Sequence, residues 1–362
     1  MNQNSLVLPV KNGKRPVMSA LRSPTLVAVA KEAGVSRMTV SRVLRNTGYV
    51  AEGTKDRVFS AVRKLSYRPN PMVSAFMSYV RSGSLDKSAG VLAYLTSGPK
   101  PGVWRNHDTY LQFHDGAFER AERLGYRLEE YWLNQPDLSS QRLSRILYAR
   151  GICGVVVAPM GTSHGHLNLD WDKFSAAAIG YSLLKPFLPR VSNDQYNSVL
   201  TALRELRKLG YRRVGLAMAR RDDERVHYHW SAGYLSFQQR WKQRLSPGMF
   251  LPRDWNRDSA LAWVKKNRPD AIVATELFMY EWLTEAGYRF PDDMGFVHLD
   301  WSAQFPHCAG IDQSASEVGA AAVDVVVEQI NHNKFGLPAR QRTVMLPGQW
   351  VPGPTIRPLI RI

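Results

Sequence analysis

Arg37, Met38, Ser41 and Arg42 lie within AGVSRMTVSRVLRN, residues 33–46, a stretch without a single Asp or Glu. Residues one helical turn apart share a face, so Arg37 with Ser41 and Met38 with Arg42 would make one compact basic and polar ridge. A guanidinium can bridge guanine O6 and N7, hydroxyls can bind phosphate or base edges, and a methionine can lie against a thymine methyl. A ridge of that size fits a DNA major groove. The competing reading is an ordinary solvated helix face.

Two other patterns invite chemistry. Gly161-Thr162-Ser163-His164-Gly165 matches the G-x-S-x-G spacing of a hydrolase nucleophile elbow. A true elbow opens directly into a helix, whereas the following HLNLDWDKF reads as a polar loop. His164/His166 and His227/His229 are each spaced by two, with no third ligand in a metal-site pattern. No P-loop or dinucleotide-type glycine turn occurs, so neither a metal nor another cofactor is expected, and the reading is not that of an enzyme.

The ridge needs a scaffold, and the flanking sequence supplies one. Leu26, Val29, Ala30 and Ala33 recur at helical spacing behind Thr25 as N-cap, with Gly34 at the C′ position. Ser36 can cap a second helix whose Val40, Val43 and Leu44 point inward and leave the ridge outside. Val58, Ala61, Val62 and Leu65 mark a third helix ending before Tyr67 and Pro69. Two short helices across a Gly-containing turn, with a third beside them, make a helix-turn-helix unit. Asn70 and Pro71 can open a further short helix, after which RSGSLDKSAG reads as a flexible joint.

From Val91 the pattern changes. VLAYL, GVVVA, AAAIG, VGLAMA, AIVA and GFVHL alternate with helical stretches, which predicts parallel sheets covered by helices on both faces. Three of those helices end alike, in Leu124-Gly125-Tyr126-Arg127, Leu209-Gly210-Tyr211-Arg212 and Ala286-Gly287-Tyr288-Arg289, each glycine serving as C′ residue. So many strands are too many for one open sheet, and two doubly wound lobes are expected.

Bulk properties agree. The 362 residues carry a formal charge of +17, and residues 1–81 hold 14 Lys/Arg against 3 Asp/Glu. That asymmetry points to a polyanion as partner of the N-terminal part, nucleic acid rather than membrane, because no long apolar or amphipathic anchor accompanies it. Cys153 and Cys308 sit in apolar sequence, as buried thiols of a reducing compartment would. With no apolar run suited to a signal peptide or a membrane span, a cytoplasmic location is expected.

TLVAVAKEAGVSRMTVSRVL, the GYV loop at 48–50 and LSYRPNP together resemble the N-terminal segment of the lac-repressor/galactose-repressor family of bacterial transcription regulators. The alternating lobes are similar to that family's effector-binding core, of periplasmic-binding-protein type. The resemblance implies a mobile basic arm over 1–23, a DNA-binding domain over 24–69, a hinge helix over 70–80, a linker over 81–89 and a core over 90–362. Its first lobe would take about 90–192 and 312–341, its second about 193–311 and 342–362. By the same resemblance Arg37, Met38 and Arg42 read bases, while Ser36, Thr39, Ser41 and Tyr49 meet phosphates. Phe76 stands where an apolar side chain wedges a minor-groove step, with Val73 and Ser74 beside it; Phe76 could instead pack against the core. Ala51 replaces the usual hydroxyl cap and Gly53 lies in the first turn, so the third helix is expected to start late or fray.

The implied partners are a double-stranded DNA operator, a second copy of the chain and a small carbohydrate-like effector. A dimer follows because one helix-turn-helix reads one half-site. Tyr110 matches an aromatic position that lines the family's cleft, and Glu276 stands where an aspartate holds ligand hydroxyls. Trp230 occupies the place of a ligand-gripping arginine and could either stack on a sugar ring or belong to the core, with Arg225 or His227 supplying the grip instead. Asp194, Asp300 and Trp301 fall at strand-to-helix edges, where open sheets place ligands. A soluble sugar-binding protein with an incidental basic head and an α/β enzyme using Ser163 are the competing readings.

Overall fold

The computed structural model describes residues 26–45, 49–65, 67, 90–240 and 247–358. The chain divides into two compact units, residues 1–81 and 82–362. The arm, the hinge helix, the linker and the Thr25 cap expected from the sequence lie outside the described residues.

In the first unit, α1 (Leu26–Ala33), α2 (Arg37–Arg45) and α3 (Glu52–Lys64) enclose a small core of Val29, Ala30, Ala33, Val40, Val43, Val58 and Ala61. Gly34 closes α1 in the left-handed conformation at φ 64°, and the Val35 N–H returns to the Ala30 carbonyl at 3.0 Å. That closure is what lets α2 start after so short a turn. The Ser36 hydroxyl then accepts from the Thr39 N–H at 3.1 Å, capping α2 as its sequence predicts. The third helix departs from expectation. It begins at Glu52 directly after Ala51, which offers no side-chain cap, and Gly53 sits in its first turn without delaying it. Packing of Val58 and Ala61 into the core supplies what the missing cap does not, and Lys64 pairs with Glu32 of α1 at 2.6 Å.

The second unit contains two six-stranded sheets. Along the chain run β1 (Gly90–Thr96), α4 (Asp108–Arg123), β2 (Tyr126–Trp132), α5 (Ser140–Ala149), β3 (Gly154–Val157), β4 (Gly165–His166), β5 (Ser175–Ile179), β6 (Leu183–Lys185) and β7 (Arg190–Asn193). Then come α6 (Gln195–Lys208), β8 (Val214–Ala217), α7 (Arg220–Arg225), α8 (His229–Arg240), β9 (Met249–Phe250), α9 (Arg257–Asn267), β10 (Ala271–Ala274), α10 (Phe278–Glu285), β11 (Gly295–Trp301), β12 (Ala309–Asp312), α11 (Ala315–Asn331), β13 (Thr343–Leu346) and β14 (Gln349–Val351). The first sheet has the order β13-β7-β5-β3-β1-β2 and the second β14-β12-β11-β10-β8-β9, with β4 and β6 pairing apart. Apart from the antiparallel β14 edge, both six-stranded sheets are parallel.

Strand alternation sorts the apolar side chains. Leu92 and Tyr94 of β1 face α4 and α11, whereas Ala93 and Leu95 face the α5 side. In the second lobe α6 and α8 cover one face and α9 and α10 the other. Gly125, Gly210 and Gly287 end their helices at φ 79°, 89° and 91°, as their shared context predicts. The contact between α4 and α11 depends on two glycines. A Cβ on Gly116 would lie 1.9 Å from the Ser316 carbonyl oxygen, and one on Gly319 would lie 2.0 Å from that of Phe113.

The chain passes from one lobe to the other between β7 and α6, between β12 and α11, and between β13 and β14. The third passage lies later than the sequence reading placed it. Thr343–Leu346 pairs parallel with Arg190–Asn193 of the first sheet, so residues 342–346 belong to the first lobe and the chain changes lobe at 347–348.

Candidate functional sites

On α2 the buried and open faces are cleanly split. Val40 and Val43 are buried, while Arg37, Met38 and Arg42 are exposed and Thr39 and Ser41 half-buried. Met38 is 66% exposed, an apolar side chain held in water on a helix with no acid in its first turn. Ser36 is committed: its hydroxyl caps the Thr39 N–H and meets the Thr39 hydroxyl at 2.9 Å. Tyr49 is 96% exposed. The arrangement presents guanidinium groups, hydroxyls, a thioether and a helix N-terminus on one surface, which suits a phosphate-lined groove. Val73, Ser74 and Phe76 lie outside the described residues.

The second unit gathers polar side chains at the carboxyl ends of β8, β10 and β11, facing the start of α4 in the first lobe. Arg225, the last residue of α7, donates from Nη2 to the Tyr110 hydroxyl at 2.6 Å. Thr109 Oγ1 donates to Asp300 Oδ2 at 2.5 Å, and Gln304 Nε2 donates to Asp108 Oδ1 at 2.8 Å. Three side-chain hydrogen bonds thus join the lobes across this cleft. Burial raises the Glu276 carboxyl to about 7, aided by the charges of Asp222 and Asp300. Asp222 and Asp300 are also raised, burial being the main cause in each. Arg221 and Arg225 oppose the shift of Asp222, and His298 and Thr109 that of Asp300, without reversing either.

The sequence-predicted cleft residues divide accordingly. Tyr110, Arg225, Glu276 and Asp300 are brought together. His227 lies nearby in a strained turn, with His227 and Tyr228 both at positive φ, 53° and 62°. Its ring meets that of Tyr181 from the first lobe at 5.0 Å, His229 meets the same ring at 4.9 Å, and the Arg190 guanidinium lies 4.8 Å from it. Burial, then Arg190, His229 and His164, lowers the His227 pKa. The other three are held by local structure. Asp194 caps α6 by accepting from the Asn197 N–H at 3.0 Å. The Trp301 indole donates to the Cys308 carbonyl at 3.0 Å, and Trp230 packs into the core beneath α6 and α8.

Asp222, Thr109 and Tyr181 escaped the sequence reading. The run RRDDERVHYHW directly after a buried strand was a usable signal, since ligand crevices form outside strand carboxyl ends. The G-x-S-x-G run leads into β4 rather than a helix, and Ser163 donates to the Arg221 carbonyl at 3.4 Å. Among the described residues no three His, Cys, Asp or Glu side chains could jointly hold a metal ion, and no helix is long and apolar enough to cross a membrane. A cavity of about 580 Å³ in the first lobe, lined in part by Ser97, Asn134, Leu143, Met160, Thr162 and His166, includes none of the cleft residues.

Comparison with known proteins matches both units. Residues 25–70 match the family of bacterial regulatory proteins of lacI type, and residues 203–356 the periplasmic binding protein-like domain. The HTH-type transcriptional repressor PurR of Haemophilus influenzae (strain PittEE) is 24% identical over 345 residues, 89% of this chain and 96% of the relative. The HTH-type transcriptional regulator AscG of Escherichia coli (strain K12) is 63% identical over 46 residues, 13% of this chain and 14% of that one. Among solved structures, the lac repressor dimer bound to operator and the anti-inducer ONPF shares the fold at TM-score 0.56 and 19% identity, covering 92% of this chain and 99% of that one. The transcriptional regulator CelR–cellobiose complex does so at TM-score 0.56 and 20% identity, with the same coverage. The chain thus joins a helix-turn-helix segment that matches the lacI family of bacterial regulatory proteins to a region that matches the periplasmic binding protein-like domain.

Proposed function

We infer that the protein is a sequence-specific DNA-binding transcription regulator, acting as a repressor at a pseudo-palindromic operator and switched by a small molecule held between the lobes. The observation that carries this reading is the α2 face, with exposed Arg37, Met38 and Arg42 opposite buried Val40 and Val43. In the proposed complex Arg37, Met38 and Arg42 meet base edges, while Ser36, Thr39, Ser41 and Tyr49 meet phosphates, and Val73, Ser74 and Phe76 enter the minor groove. A homodimer supplies the second half-site. Repression is favoured by the relative's name, PurR being a transcriptional repressor. The protein works in the cytoplasm and performs no catalysis.

The effector site of this reading comprises Tyr110, Arg225, Glu276 and Asp300, with His227 at its margin. Because Arg225–Tyr110 and Thr109–Asp300 already join the lobes, a ligand seated there exchanges those bonds for its own and so resets lobe closure. Operator affinity follows closure.

Selection of duplexes from a random DNA pool by the purified full-length chain, near physiological salt, tests the reading. Recovery of a two-fold symmetric site supports it. Binding that is equally tight on all sequences and steeply salt-dependent would show a basic protein that does not read sequence.

A further inference from the structure

We propose that the effector is an organic cation, a small polar molecule bearing a protonated amine, held by the carboxylate-lined wall of the second lobe. The proposal rests on the reading of the interlobe cleft as the effector site and names what that site selects.

This wall has more buried acceptors than hydrogen-bond donors to meet them. Asp222 Oδ2 and His298 Nδ1 are buried with no hydrogen-bond partner, as is the Thr275 hydroxyl, which can donate as well as accept. Asp222 lies on α7 shortly after β8, Thr275 directly follows β10 and His298 lies in β11, so all three fall near the carboxyl ends of three neighbouring strands, where open sheets place ligands. His298 is only 6% exposed. Its Nε2 lies 3.0 Å from the Thr275 carbonyl, which can only accept, so Nε2 carries the proton and Nδ1 of the neutral ring is a bare acceptor. Burial lowers the pKa of this imidazole, against the opposing pull of the Asp300 charge, and so favours the neutral ring. The Glu276 carboxylate adds two more acceptor atoms with no side-chain donor against them.

The resident cations do not meet the demand. Arg225 is directed at Tyr110, and the Arg221 Nε stands 3.7 Å from Asp222 Oδ1, beyond hydrogen-bond reach. Asp300 takes one hydrogen bond, from Thr109. Were the two arginines sufficient, Asp222 and Glu276 would be lowered, yet both are raised. An unpaired buried acceptor is costly, and a cluster of them persists where a ligand supplies the donors. An ammonium group brings three N–H donors and the missing positive charge together. A neutral polyol brings only hydroxyls, and an anion adds to the repulsion.

The test uses the full-length protein and three matched probes, glucamine, sorbitol and gluconate, which share a polyol chain and differ in charge. Calorimetry should show glucamine binding at least tenfold tighter than sorbitol, gluconate weaker than either, and a tenfold or greater loss of glucamine binding in Glu276→Gln. Sorbitol or gluconate binding as tightly as glucamine, with sensitivity to Glu276→Gln retained, overturns the cation and leaves the effector site standing. If no probe binds, or binding is indifferent to Glu276→Gln, the effector-site reading falls and the cation with it. The Asp222→Asn variant checks the donor deficit without a ligand. It should melt higher than wild type at neutral pH, and a lower melting temperature would mean that this carboxylate is already satisfied.

Discussion

At the scale of single residues, Glu276 is a pH-sensitive group of the cleft. Its carboxyl is raised to about 7 by burial and by Asp222 and Asp300, against 4.5 for an unperturbed glutamate. Folding therefore favours the protonated form. The stability this group contributes is full below its unfolded value and is lost as pH rises through 7. Glu276→Gln, which cannot ionise, should equal wild type in urea denaturation near about pH 4.5 and exceed it by about 2 kcal/mol above about pH 8. An identical difference at both pH values would show that the carboxyl does not titrate in that window. Tyr110→Phe removes the acceptor of the Arg225 guanidinium and should cost the second unit about 1.5–3 kcal/mol. Tyr110 and Glu276 could be picked out from sequence because a resemblance fixed their positions, Arg225 as a candidate grip near Trp230, and Asp300 because it stands at a strand-to-helix edge. Asp222 carried a signal in the charged run after a buried strand, but nothing local says that it shares a cleft with a carboxylate in β11, or that Thr109 of the other lobe will find Asp300. Asp194 and Trp301, which also stand at strand ends, bond within their own lobe: Asp194 accepts from the Asn197 N–H and side-chain amide, and the Trp301 indole donates to the Cys308 carbonyl.

At the scale of elements, the first two helices of the first unit were legible from local signals. Gly34, Ser36 and the Val40/Val43 stripe each impose a local geometry, and the three agree. α3 shows where local signals give way, for a helix with a poor cap and an early glycine still begins at Glu52 because tertiary packing holds it. Strands of the second unit were readable as apolar runs between turns, but the sheet that β13 joins was not. TVML reads alike beside either sheet, and its pairing with β7 is decided by tertiary placement. The α4–α11 contact was equally hidden, because a glycine in a helix announces no partner. Gly319→Ala would press a methyl group into the Phe113 carbonyl and force the helices apart. We expect a loss of about 3 kcal/mol in chemical denaturation of the second unit. Unchanged stability would mean the two helices can separate at no cost.

At the scale of the whole molecule, charge is divided as the proposed function needs. Residues 1–81 carry a net +11, most of the chain's +17, and long-range attraction to DNA falls to that segment. The second unit supplies the switch. A ligand must discriminate between lobe arrangements by as much free energy as it transmits, and side chains that already bridge the cleft provide that difference. Thr109→Val, which deletes one bridge and leaves the Asp300 carboxylate unpaired, should therefore change operator affinity without touching a DNA contact; equal affinities in mobility-shift titrations of the two proteins would uncouple the cleft from the DNA-binding unit. The central claim, that α2 reads sequence, is tested most directly by repeating the random-pool selection with Arg42→Ala. The account predicts the same symmetric site with one base pair per half relaxed, and an affinity loss of about 1–3 kcal/mol confined to sequences carrying the preferred base. Equal weakening on every sequence, with the base preferences intact, would contradict it and reduce Arg42 to a phosphate contact.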